Sequence, residues 1–138
     1  MKENKKIMDE KIEKIGINAV ETLNKRPFNK IVIGLFIKKY NETNIKNMEF
    51  YYIGLNNESV YFNELIYDDN YNSTVEEQRY LELQDLLYDL YDYCVECGDV
   101  WQNMTFIVDS NNKINVNFEY NFIEIAEWRN KNGLVNEK

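Results

Sequence analysis

The 138-residue chain is 44% hydrophobic and 14% aromatic, which supplies the apolar area for one folded domain over 1–138 and argues against disorder of the whole. It contains no histidine, which removes the commonest general base, the Ser-His-Asp and Cys-His arrangements and the usual neutral metal ligand. Net charge is −8 and uneven: residues 1–46 hold 11 Lys/Arg against 6 Asp/Glu, and residues 47–138 hold 5 against 18, a balance that repels nucleic acid and attracts basic proteins.

Residues 3–25 place Ile12, Ile15, Ala19 and Leu23 at spacings of three and four, which predicts an amphipathic helix ended by Pro27. Lys2, Lys5, Lys6, Lys11 and Lys14 alternate with Glu3, Asp9, Glu10 and Glu13, the mixture of a surface helix and not of a membrane anchor. The near-continuous run from Ile31 to Ile37 predicts a strand buried on both faces. Asn41 to Asn47 reads as a polar turn region, Met48 to Leu55 as a second strand, and Ser59 to Leu65 as a third, joined to it through Asn56-Asn57-Glu58. Asp68 to Asn72 reads as an acidic loop.

The clearest element is a helix over about 74–97. Ser73 and Thr74, with Glu76 and Glu77 three residues on, form overlapping capping boxes. Leu83, Leu86, Leu87, Leu90, Cys94 and Cys97 form its apolar stripe, and Gly98 stands where a C′ glycine belongs. Period two then returns. Met104, Phe106 and Val108, a turn at Ser110-Asn111-Asn112, and Ile114, Val116, Phe118 and Tyr120 predict a hairpin with one buried and one wet face. Residues 122–131 suit a short helix carrying Ile125 and Trp128, and 132–138 a frayed tail. The order α-β-β-β-α-β-β, with a short last helix, predicts an α+β fold: a mostly antiparallel sheet of about five strands whose apolar side the helices cover.

Function rests on where the acids fall. Glu82, Asp85, Asp89, Asp92, Glu96 and Asp99 are spaced 3, 4, 3, 4 and 3 apart. At about 100° per residue they share an arc of roughly 100° nearly opposite the leucines. Like charges one turn apart repel, no Lys or Arg at i±4 relieves them, and a face evolved for solubility mixes both signs. The row, bordered by Tyr88, therefore reads as a docking face for a basic partner. A solvated face that happens to be acidic is the alternative.

Cys94 and Cys97 form a C-x-x-C that closes a helix instead of opening one. Redox chemistry is therefore not expected, and a zinc site would lack two ligands. Both read as buried free thiols, in keeping with a reducing compartment. The acid pairs Asp68-Asp69 and Glu76-Glu77 lack the loop of a calcium site, and no Gly-rich phosphate loop occurs. No catalytic residue, cofactor or metal is expected. No apolar run approaches the roughly 18 to 20 residues of a membrane span, and the charged N-terminal stretch is unlike a signal peptide, so a cytoplasmic location is expected.

The segments Leu86–Tyr93, Trp101, Asn103–Asp109 and Lys113–Tyr120 resemble the YezG-like family of bacterial immunity proteins, encoded beside secreted polymorphic toxins, many of them nucleases. The family similarly has an acidic helix, a Trp after it, then strand, turn and a strand ending in F-x-Y. The likeness covers these segments by motif and the earlier chain by order of elements. The turn here is Asn111-Asn112 where the family commonly has a glycine before the lysine, and its C-terminal aromatic-basic segment is reduced to Trp128-Arg129. The resemblance implies a toxin antidote with no catalytic residues to transfer, and Trp101, Phe106, Phe118 and Tyr120 as core positions. The expected partner is thus a cognate toxin with a basic nuclease domain, bound without direct nucleic-acid or membrane contact. The other candidates are an acidic adaptor serving a non-toxin protein and, more remotely, a carboxylate-based hydrolase.

Overall fold

The computed structural model describes residues 2–62 and 73–134. The elements are α1 (Lys2–Thr22), β1 (Lys30–Tyr40), β2 (Thr43–Ile53), β3 (Ser59–Tyr61), α2 (Ser73–Glu96), β4 (Asn103–Asp109), β5 (Ile114–Glu119) and α3 (Ile125–Lys131). This is an α+β fold with one antiparallel five-stranded sheet of order β3-β2-β1-β4-β5. The chain forms two compact units, one of α1 with α2 and one of the sheet with α3. The third strand stops at Tyr61, short of Phe62, which was expected to continue it. Its expected residues 63–65, the acidic loop 68–72, the Ser73 and Thr74 capping side chains and residues 135–138 lie outside what is described.

In the helical unit α1 and α2 pack against each other. Ile15, Ala19 and Leu23 at the end of α1, and Leu83, Leu87, Leu90 and Cys94 on α2, are buried as their spacing predicts. Each large aliphatic removed from water contributes about 1.5–3 kcal/mol. The first helix ends earlier than Pro27 requires. The Thr22 hydroxyl donates to the Asn18 carbonyl at 2.8 Å, and Asn24 and Lys25 take left-handed φ values of 50° and 70°. At the far end of α2 the chain closes in a Schellman motif: Gly98 at φ 83° donates to Val95 at 3.0 Å, and Asp99 to Cys94 at 2.8 Å. Cys97 is exposed, not buried as expected, because the helix stops at Glu96 and the turn carries Cys97 off the apolar stripe.

In the sheet unit, β1 is buried on both faces from Ile31 to Ile37 and pairs with β2 and β4 on its two sides. Strand β2 begins at Thr43, so the polar stretch expected to be a turn is largely strand. The turn itself is Asn41 at φ 58° with Glu42, and the β1–β2 register runs unbroken from Lys30↔Ile53 to Tyr40↔Thr43. Residues 38–45 are all exposed: this end of the ribbon has no core to face, and its polarity follows. At the β4–β5 turn, the Asp109 Oδ1 accepts from the backbone of Asn111 (2.8 Å) and Lys113 (2.9 Å), and Asn112 has φ 63°.

The expected wet face of this second hairpin is covered on β4. Trp128 of α3 is 1% exposed, and its Nε1 donates to the buried Thr105 hydroxyl at 2.8 Å. The indole packs with Val32, Phe36, Tyr51 and Leu134. Gly34 makes the close approach possible, since a Cβ there would stand 2.5 Å from Trp128 Cζ2. Leu134, expected in a frayed tail, is 1% exposed. It donates to Arg129 at 2.8 Å across Gly133 (φ 68°), a second Schellman motif that folds the chain back onto Trp128.

Candidate partner-binding face

The acidic row belongs to the helical unit. Glu82, Asp85, Asp89, Asp92 and Glu96 all lie on α2 and are exposed. Asp99 does not continue the row, because it follows the left-handed Gly98 and is half-buried. Tyr88 is half-buried beside Gln84 and Asp85, with its hydroxyl pKa raised chiefly by burial. The fold thus brings five carboxylates onto one helical flank and sets Tyr88 at its border.

Part of that charge is answered within the unit. Lys11 of α1 donates to Asp89 Oδ2 at 2.5 Å and stands 5.3 Å from the centre of the Tyr93 ring. Arg79, three residues before Glu82 and so one turn away on the same helix, lies 3.7 Å from Glu82 and 3.4 Å from Glu21. A search confined to spacings of four overlooks Arg79, and Lys11 is 78 residues from its partner. Asp89 is 59% exposed and Glu82 47%, so each pair contributes at most about 1 kcal/mol and remains open to competition. Asp85 and Glu96 have no cation within ion-pair distance among the described residues. With Asp85 and Glu96 lacking such a cation the flank stays negative, which steers a basic partner at low salt.

Two charged clusters that the sequence does not announce lie elsewhere. In the helical unit Glu76 is fully buried, and its Oε2 accepts from Arg26 Nη1 at 2.7 Å. Its role is to hold the end of α1 to the first turn of α2, beyond the helix capping expected of it. In the sheet unit Glu49 of β2, 7% exposed, gathers four donors. Oε1 accepts from Tyr51 Oη (3.0 Å), Arg129 Nε (3.1 Å) and Arg129 Nη2 (2.7 Å), and Oε2 from Tyr61 Oη at 3.4 Å. The Tyr51 and Tyr61 rings stack at 4.8 Å, with the guanidinium 5.9 and 6.0 Å from their centres. Burial first, then the Glu49 charge, pushes the pKa of both tyrosines up; for Arg129 burial acts to lower it, but the hydrogen bonds it donates to Glu49 and the charge of that carboxylate outweigh this and raise it. Both oxygens of this carboxylate are taken up by donors on β2, β3 and α3. It clamps α3 to the sheet.

A cleft of about 160 Å³ lies beside α3, lined among others by Thr105, Asn117, Glu119, Trp128 and Lys131. It is about half the smallest volume usual for a small-molecule site. Among the described residues no group of three or more Cys, Asp or Glu is arranged to hold a metal ion, and no helix is long and apolar enough to cross a membrane. The α2 flank is therefore the surface with the clearest chemical character. No protein-family model matches the sequence, and no curated protein matches it.

Proposed function

We propose that this chain is an immunity protein of the bacterial cytoplasm that binds a cognate secreted toxin and blocks it without chemistry of its own. The observation that carries the reading is the row of exposed carboxylates on α2, which keeps a net negative charge after Lys11 and Arg79 have taken their partners. Nucleases present basic clefts shaped for phosphate, and a rigid helix bearing carboxylates at one-turn intervals competes there by offering the same charge. The resemblance of residues 86–120 to the YezG-like family supports the same reading.

The test is reversal of Asp85 and Glu96 to Lys, leaving the Lys11–Asp89 and Arg26–Glu76 pairs in place. Wild-type protein, co-expressed with the toxin gene beside its own, restores growth. The double variant keeps the same circular dichroism and melting curve but binds about tenfold or more weaker, through slower association at low salt. Cell death despite wild-type co-expression, with no complex on size exclusion, refutes the proposal. Capture of a non-toxin protein through the same face would instead assign an acidic adaptor.

A further inference from the structure

Strand β5 is one edge of the sheet, and its outer side is equipped to pair. The backbone of Asp109 donates to Lys113 at 2.9 Å and that of Gln102 to Glu119 at 2.8 Å, so Lys113 and Glu119 turn their carbonyls inward to β4. By the alternation of an antiparallel ladder, Ile114, Val116 and Phe118 direct their N–H and C=O groups outward. The register from Ile114 to Glu119 contains no bulge and no proline, and no charge stands in the middle of the strand. Ile114, Val116 and Phe118 are only half-buried, while Lys113, Asn115 and Asn117 are exposed. Among the described residues, no bulge, proline or mid-strand charge protects this edge.

We propose that β5 pairs with β5 of a second copy of this chain, antiparallel about a two-fold axis at Val116, to make one continuous sheet. The sequence of the strand is complementary to itself in this register. Val116 meets Val116, Ile114 meets Phe118 twice, Asn115 meets Asn117 twice, and Lys113 meets Glu119 of the other copy at both ends. Shifting by two residues either way keeps the outward groups in phase but places Lys113 and Glu119 opposite other residues, so charge selects this register. Three outward residues on each strand each give one N–H and take one, six backbone hydrogen bonds in all. The Lys113–Glu119 and Asn115–Asn117 pairs fall at non-hydrogen-bonded positions, where side chains approach most closely. Apolar residues meet on one sheet face and polar residues on the other, as in the ladder with β4. None of these residues belongs to the α2 flank, so the pairing is independent of the proposed function.

The experiment is sedimentation velocity from about 1 µM to about 1 mM, a range that spans weak to moderate dimers. Wild type is expected to shift from monomer to dimer as concentration rises. Lys113→Glu and Glu119→Lys each convert both end pairs to like charges and should weaken the dimer about tenfold or more. The K113E/E119K double variant should recover it. So should an equimolar mixture of the two single variants, which can pair only with each other. Circular dichroism checks that each variant is folded. Wild type that stays monomeric at about 1 mM overturns the proposal and leaves the edge to solvent or to a strand from another protein. A dimer indifferent to K113E, or not recovered by the swap, overturns it as well.

Discussion

Substitution of Glu76 by alanine tests the interior of the helical unit. The carboxylate is fully buried and Arg26 is 12% exposed, with 2.7 Å between Glu76 Oε2 and Arg26 Nη1. Removing the carboxylate leaves a guanidinium that is largely out of water. Breaking a buried pair from one side costs about 3–5 kcal/mol. Arg26 Nη1 keeps its bond to the Leu23 carbonyl at 3.0 Å and retains slight solvent access, which places the cost near the lower end, about 3 kcal/mol. A domain of this size has about 5–15 kcal/mol in total, so the loss is a fifth of the whole or more. It lowers Tm by about 12 °C at about 4 °C per kcal/mol. Urea unfolding followed at 222 nm reads the loss directly. Replacing both partners, Arg26→Met with Glu76→Leu, removes both charges and should restore stability to within about 1 kcal/mol of wild type or exceed it. A Glu76→Ala protein within about 0.5 kcal/mol of wild type would mean that the carboxylate is solvated in solution, and the argument would fail.

Two further perturbations address the sheet unit. Gly34→Ala drives a methyl to within 2.5 Å of Trp128 Cζ2 and 2.8 Å of Phe36 Cε1. It should destabilise by about 1–3 kcal/mol despite the entropic gain of replacing glycine, with altered tryptophan fluorescence; an unchanged urea midpoint would show that the indole does not lie against β1. At alkaline pH, Tyr51 and Tyr61 hold their protons more tightly folded than unfolded. Their contribution is fully present below the unfolded value of about 10 and is lost as pH rises from there through the folded pKa values. Tyr51 alone gives a fall of about 1.4 kcal/mol per pH unit in that window. Urea midpoints at pH 9, 10 and 11 measure it, and a flat profile would refute the buried Tyr–Glu–Arg cluster.

The parts of the fold legible in sequence are those where burial imposes a period. The run Ile31–Ile37 is apolar because β1 is the middle strand with both faces covered, and the leucines of α2 recur because one flank of that helix is buried. The start of β2 was not legible, since Thr43 to Asn47 are held by pairing with β1 alone and face no core on either side. The wet face expected for the second hairpin failed on β4 for the opposite reason. Thr105 looks polar in sequence, but its hydroxyl accepts the indole N–H of a residue 23 positions later. Leu134 escaped because its burial depends on Gly133 turning the chain back after α3. For the acidic face, the spacing along α2 carried the geometry as far as Glu96. The neutralising Lys11 comes from another helix, and no local pattern encodes it.

The overhanging tip of the β1–β2 ribbon shows where this chain has freedom to vary. Beyond Ile37 no side chain on β1 enters a core, so each added or deleted pair of residues there changes only the length of a solvated ladder. Loop-closure entropy changes slowly with such length, and exposed tips tolerate insertion well. Lys38, Lys39 and Lys46 give this arm a positive charge in a protein of net −8. The tip of the arm can therefore be lengthened or shortened with little effect on folding, while Lys38, 5.7 Å from the centre of the Phe122 ring, ties its base to the rest of the sheet unit.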